Sequence, residues 1–248
     1  MRETLYGRQA VRESLRAARR TPYRLALMDR VLSVPIIEEI EELAKAQGVP
    51  VVRVSRHEMA NLVGEENHQG VALEVSGYPY ISLYDMLDAV EEHERRPLFL
   101  LLDLVQDVRN LGSLMRTAEA AGVDGVIIQG RRAAGVTPGA VNASSGAVEH
   151  LLIAQVTNLS RAIEQLKDAD VWVVGLEDVY GAKLYTESDL TVPLGVVVGS
   201  EGKGLRRLVR ERCDWLMKLP MHGEINSLNA SVAGSIALYE ALRQRAAA

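Results

Sequence analysis

Three polar stretches of this 248-residue sequence carry the side chains with chemistry to offer. The first, Asp103-Leu-Val-Gln-Asp-Val-Arg-Asn110, runs into a helical pattern that holds Arg116. By residue type alone, Asn110 serves as a helix cap and Arg116 as a solvated or ion-paired helix residue. The second, Gly199-Ser-Glu-Gly-Lys-Gly204, has three glycines in six residues, so its backbone can approach a ligand closely. A plain tight turn has the same composition. A phosphate-binding P-loop is excluded, because it needs Ser or Thr after its lysine and Gly204 follows Lys203. A dinucleotide fingerprint is excluded too, since the loop after Asp103 lacks the glycine set. The third stretch, Leu219 to Ser231, gathers Asn226, Ser227, Asn229 and Ser231 at a helix start. Four such groups exceed what one cap needs, which points to a neutral polar ligand rather than a metal. The five histidines show no metal-ligand spacing, and no metal is expected.

The elements that must position these loops form an α/β pattern. From Pro97 onward, short apolar strands (Leu98–Asp103, Gly125–Ile128, Leu151–Val156, Val171–Leu176, Leu194–Gly199 and Trp215–Leu219) alternate with helical segments. This alternation predicts a parallel sheet covered on both faces, with ligands beyond the carboxyl ends of its strands. Leu111, Leu114, Met115, Ala118 and Ala121 mark a helix stopped at Gly122. Ser227 to Arg245 predicts a long C-terminal helix that packs on the sheet or on a second subunit. Residues 1–76 read as a small α/β unit, opened by a helix with Val11, Leu15 and Ala18 on one side. Residues 77–96 read as a linker, and 97–248 as the second domain.

Composition places the chain among folded soluble proteins, with 48% hydrophobic and 25% charged residues. No apolar run approaches the roughly 20 residues of a membrane span, and Met1–Gly7 lacks the core of a secretory signal. A single cysteine, Cys213, suits a reducing compartment, so a cytoplasmic location is expected. The net charge of −5 argues against a nucleic-acid binder that is basic all over. Residues 1–30 nonetheless hold eight arginines against three carboxylates, and Arg8, Arg12, Arg16 and Arg19 or Arg20 recur at helical spacing. That stripe is either a solvated face or a local site for a polyanion.

Three ordered motifs resemble the SpoU/TrmH branch of the SPOUT methyltransferases: Asp107-Val-Arg-Asn-Leu-Gly-Ser-Leu-Met-Arg-Thr-Ala118, Val198-Gly-Ser-Glu-Gly-Lys-Gly-Leu205, and Leu219-Pro-Met with Asn226-Ser-Leu-Asn-Ala-Ser-Val-Ala233. Asn142 to His150, Tyr6-Gly-Arg-Gln-Ala-Val11 and His68-Gln-Gly70 support the likeness. Within that branch the chain is most similar to the bacterial enzymes that methylate a guanosine 2′-oxygen of 23S ribosomal RNA. The resemblance implies a C-terminal parallel-sheet domain with a deep trefoil knot and a small N-terminal α/β RNA-binding domain. It implies S-adenosyl-L-methionine as cofactor, held by Gly199, Leu219 and Leu228. Asn110, Arg116, Glu201, Asn229 and Ser231 fall on the family's catalytic positions, and the stripe around Arg8 and Arg12 falls in the RNA-binding module. The family's pattern further implies a homodimer whose active site is completed across the subunit interface, acting on ribosomal RNA, with transfer RNA as the alternative substrate. A non-catalytic RNA-binding protein that keeps the fold is the remaining reading. Two positions depart from the pattern: Val108 stands where proline is usual, and Asn142 where lysine is usual.

Overall fold

The run Leu98–Asp103 is buried at every position and is an interior strand of the larger of two sheets. In the computed structural model, which describes residues 2–64, 66–91, 95–225 and 227–247, the chain begins Arg2–Tyr6 (β1), Arg8–Ala17 (α1), Pro22–Met28 (β2), Pro35–Ala46 (α2), Val51–Val54 (β3), Arg56–Val63 (α3) and Val71–Ser76 (β4). It continues Leu83–Glu91 (α4), Leu98–Asp103 (β5), Val108–Ala120 (α5), Gly125–Gln129 (β6), Pro138–Ala143 (α6) and Ile153–Val156 (β7). Leu159–Asp168 (α7), Trp172–Leu176 (β8), Lys183–Leu184 (β9), Leu194–Gly199 (β10), Arg207–Arg212 (α8), Trp215–Lys218 (β11) and Ala230–Ala246 (α9) complete it. Two compact units result, one holding the chain up to Pro79 together with Val136–His150, the other Tyr80–Gly135 with Leu151–Ala248.

The first unit has a four-stranded sheet in the order β1-β4-β2-β3, with only the β2–β3 pair parallel. α1 buries Ala10, Val11, Ser14 and Leu15 on one face. It stops at Ala18, which takes a left-handed φ of 51° as the cap, so the helical stripe is one residue shorter than its apolar pattern suggests. α3 starts at a reciprocal capping box, in which Ser55 and Glu58 satisfy each other's backbone N–H groups. Val136–His150 brings Glu149 into this unit's interior. Glu149 and Arg20 are both fully buried and pair at 2.9 Å. Ser14 Oγ donates to Glu149 at 3.3 Å, while Arg20 also reaches Glu3 at 2.6 Å and the Ser76 carbonyl at 3.2 Å. Two buried charges persist because each has its partner and further hydrogen bonds. Arg20 is therefore an interior residue rather than a member of an exposed stripe.

The second unit has a seven-stranded sheet in the order β7-β6-β5-β10-β8-β11-β9, and every pairing in it is parallel. Phe99, Leu101, Ile127 and Val197 pack against Leu159, Ile163 and Leu166 of α7. The stretch expected as a linker contains α4, whose Leu83, Met86 and Val90 join the same core. α9 approaches α5 and β10 closely at Gly234, where a Cβ would lie 2.6 Å from Leu114 and 3.0 Å from Val198. That close approach carries the start of α9 to the carboxyl ends of β5 and β10. Burial pushes the Cys213 thiol up to about 12, so it behaves as an apolar filler. No helix among the described residues is long and apolar enough to cross a membrane.

Candidate active site

Four of the five predicted catalytic residues, Asn110, Glu201, Asn229 and Ser231, meet at the carboxyl end of the larger sheet. β5 ends at the buried Asp103, which accepts hydrogen bonds from the Arg206 backbone N–H at 2.8 Å and from its Nε at 2.7 Å. This ties the chain just after Gly204 to the strand that leads into Asn110. Asp107 caps α5, accepting from the N–H groups of Asn110 at 3.0 Å and Arg109 at 2.8 Å. Those N–H groups hold its carboxyl below the usual range. Val108 then occupies the first helical position, where proline is favoured because no N–H is needed. With the Asp107 cap in place, the turn forms without it.

Asn110 Nδ2 donates to Glu201 Oε1 at 2.6 Å. Asn229 Nδ2 donates to the same carboxylate oxygen at 2.6 Å and to Asn110 Oδ1 at 3.0 Å. On its other side, Asn229 Oδ1 accepts from the Ser231 N–H at 2.9 Å, Ser231 Oγ at 2.6 Å and the Val232 N–H at 3.3 Å, capping α9. α9 thus begins at Ala230, and Asn229 caps it with its oxygen while its amide nitrogen reaches Glu201. With its O–H directed to Asn229, Ser231 Oγ keeps lone pairs for an incoming donor. Asn226 lies outside the described residues.

The glycine loop folds back on itself through a bridge between Ser200 and Gly204. A Cβ at Gly199 would lie 2.4 Å from the Gly204 carbonyl carbon, and Gly204 has φ +61°, so the tight return needs both glycines. Two cavities flank the loop. One, of about 270 Å³, brings together Gly199, Leu219 and Leu228 with Leu176, Val198 and Met221, and carries Asp178 and Ser227 among its polar groups. The other, of about 340 Å³, is bordered by Gln106, Asp107, Asn110 and Lys203. Ser200, Glu201 and Ala230 border both. Arg116 is exposed on α5, six residues and about 9 Å of helical rise beyond Asn110, and borders neither cavity. Arg8 and Arg12 belong to the first unit. Arg8 Nε donates to the Gln69 carbonyl at 3.2 Å, and Arg12 pairs with Glu13 at 2.8 Å and Glu39 at 3.7 Å.

Glu177, Asp178 and Gln106 border the cavities without having been singled out in the sequence, and Lys203, named there only to exclude a P-loop, borders the second. Glu177 is gripped by Arg210 through both carboxylate oxygens. The signal for the two acids was present, since they directly follow the strand that ends at Leu176, where an open parallel sheet puts its ligands. Among the described residues no group of three or more His, Cys, Asp or Glu side chains is placed to hold a metal ion.

The model of the SpoU rRNA methylase family matches residues 97–239, which contain all four clustered residues. The chain belongs to this family. A second model, RNA 2′-O ribose methyltransferase substrate binding, matches residues 4–81. Among relatives of this SpoU family chain, the TrmH family tRNA/rRNA methyltransferase YacO of Bacillus subtilis is 44% identical over 239 residues, covering 96% of the chain and 94% of YacO. A TrmH family tRNA/rRNA methyltransferase of Staphylococcus aureus is 40% identical over 241 residues, covering 97% and 96%. Of solved structures, the SpoU methyltransferase AviRb from Streptomyces viridochromogenes, in complex with the cofactor AdoMet, is similar with a TM-score of 0.82 at 25% identity, over 100% of this chain and 92% of AviRb. The AdoMet-bound rRNA methyltransferase from Sinorhizobium meliloti gives 0.81 at 27% identity, over 98% and 87%.

Proposed function

We propose that this protein transfers the methyl group of S-adenosyl-L-methionine to a ribose 2′-hydroxyl of RNA, at a guanosine of 23S ribosomal RNA, as a cytoplasmic homodimer with a trefoil-knotted C-terminal domain. The observation that carries the reading is the wall of Ser200, Glu201 and Ala230 between two adjacent cavities, with Asn110, Asn229 and Ser231 fixed around it. One cavity then holds the donor and the other the acceptor.

The residues present fit the cofactor. Leu176, Val198, Leu219 and Leu228 offer apolar surface to a flat heterocycle, while Asp178 and Ser227 offer polar partners to its sugar. Gly199 admits no side chain into the turn that borders this cavity. When bound, the cofactor supplies a methyl carbon already activated by a sulfonium.

The protein's own task is alignment, worth up to roughly 7–11 kcal/mol in favourable cases, while the hydroxyl proton leaves to solvent water. Ser231 Oγ accepts a hydrogen bond from the ribose hydroxyl, and Asn229 fixes that oxygen from behind. Glu201, held by two amide donors, keeps both asparagines in register. Arg116 is a permanent cation assigned to the developing alkoxide or a neighbouring phosphate, delivered across a dimer interface. Val232, Ile236, Tyr239 and Leu242 leave an exposed apolar stripe along α9 that supports such an interface. In the first unit, Arg8 and Arg12 are assigned to RNA phosphates.

The test is methyl transfer from labelled cofactor to 23S ribosomal RNA and to bulk transfer RNA, followed by mapping of the ribose methyl. A 2′-O-methylguanosine in 23S RNA is the expected product. Modification of transfer RNA alone would reassign the substrate, and cofactor binding without transfer to either RNA would overturn the enzymatic reading.

A further inference from the structure

The opposite edge of the larger sheet carries a second group of side chains that the proposed reaction does not use. Trp172 opens β8 and Trp215 opens β11, and both strands run parallel to β10 and β5 within one sheet, so the two indoles lie at the amino ends of the strands. They are the only tryptophans in the chain. Their ring centroids are 6.3 Å apart at 52°, and Trp172 is 52% exposed. The two rings border a cavity of about 220 Å³ together with Lys183 and Asp189. The Trp215 indole N–H has no hydrogen-bond acceptor among the described residues.

Beside it lies a cavity of about 460 Å³ bordered by Arg95, Arg96 and Arg245. The segment from Ser188 to Val192 borders both, and Arg245 holds it by donating to the Leu190 carbonyl at 3.0 Å and to that of Val192 at 2.6 Å. Arg95 pairs with Asp124 at 2.6 Å, whereas Arg96 is exposed and donates to Thr191 through one amino group. Of the described residues that border the two cavities, four are cationic and one, Asp189, is acidic, with Asp124 paired to Arg95 behind them, on a protein whose net charge is −5.

We propose that this edge is a binding site for single-stranded RNA, with a base stacked on Trp172 and the adjoining phosphates met by Arg96 and Lys183. Exposed aromatic faces beside guanidinium groups are how sequence-tolerant single-strand sites are built. A phosphate ligand alone accounts for the arginines but not for the half-exposed indole. The choice of RNA rests on the function proposed above. The site lies at the far end of the strands from Asp103 and Gly199, so a strand bound here engages a part of the substrate remote from the methylated ribose.

Because both tryptophans sit at the site, their emission reports on it without any methyl transfer. Titration of the full-length protein with a short oligouridylate is expected to quench that emission. Trp172→Ala should weaken binding by about 5- to 150-fold, the loss of one base–aromatic stack, and Trp172→Phe should restore most of it. Arg96→Ala should make the dependence of affinity on salt shallower by about 0.7, one single-strand phosphate contact. Emission that oligouridylate leaves unchanged, or equal affinity in Trp172→Ala and the wild type, would overturn the proposal. Equal quenching by a fully paired duplex would do the same, since its bases have no free faces. A protein that is quenched but transfers no methyl group keeps this site and loses only the proposed function. One that methylates RNA without quenching does the reverse.

Discussion

Glu149 in the first unit and Glu201 in the second each sit at the centre of a hydrogen-bonded cluster, built from opposite materials. Glu149 is fully buried and answered by a full positive charge, Arg20, with Ser14 completing the set. Glu201 is exposed and answered by two neutral amides, Asn110 and Asn229. A buried charge needs a countercharge, and that pair then has no capacity left for a ligand. An exposed carboxylate held by amides keeps its second oxygen and its surroundings open. The first arrangement joins distant parts of a fold, and the second holds a site ready.

The sharpest way to break this comparison is Glu149→Ala, which leaves the buried Arg20 with only the partly exposed Glu3 as countercharge. Such truncations cost about 3–5 kcal/mol, read as a lowered denaturation midpoint with secondary structure lost from the first unit. A cost below about 1 kcal/mol would mean the pair is dispensable. Next is Asn229→Asp, which keeps an oxygen to cap α9 but removes the amide donor and sets a second carboxylate against Glu201. Methyl transfer should fall on the order of 10²-fold, as for loss of one preorganised donor, while thermal stability changes little. Asn229→Ala should lose the cap as well, at about 1 kcal/mol. Asp107→Ala should cost a similar ~1 kcal/mol through α5, and cofactor affinity measured by calorimetry should stay unchanged.

The smallest effect concerns a third carboxylate. Hydrogen bonds from Arg243, and further in from Gln244, hold Glu240 down to about 2 from an ordinary 4.5. A depressed folded value stabilises the protein above the unfolded one, so this contribution fades as pH falls from 4.5 to about 2. Glu240→Gln should therefore flatten the acid side of the stability profile slightly, as followed by thermal melts.

Much of the second unit was legible because its strands are continuous apolar runs. Leu98–Asp103 and Leu194–Gly199 were read within the bounds the structure gives them. Glu201 and Asn229 were readable as loop residues after strands; Asn110, read as the cap of α5, lies in its first turn behind the Asp107 cap, and the structure adds the hydrogen bonds between the three. β1 was not legible, because Arg2-Glu3-Thr4 is polar and becomes a strand only by pairing with β4. α3 was missed although Ser55 and Glu58 spell its capping box. The partners of the arginines near the start were not legible, for a physical reason. Helical spacing shows that Arg12 and Arg16 share a face, but not that Glu13 and Glu39 answer them there. Nor could spacing show that Arg20 turns inward to a residue 129 positions away.

The route of the backbone has a practical consequence for dissecting the protein. Because Val136–His150 belongs to the first unit while β6 and β7 on either side of it belong to the second, the polypeptide passes from one unit to the other three times. Cutting off everything up to Pro79 would not liberate an intact catalytic half. It would leave α6 and Glu149 dangling in water without Tyr6, Ser14 or Arg20, so a minimal version must also replace that insert with a short turn from Gly135 to Leu151.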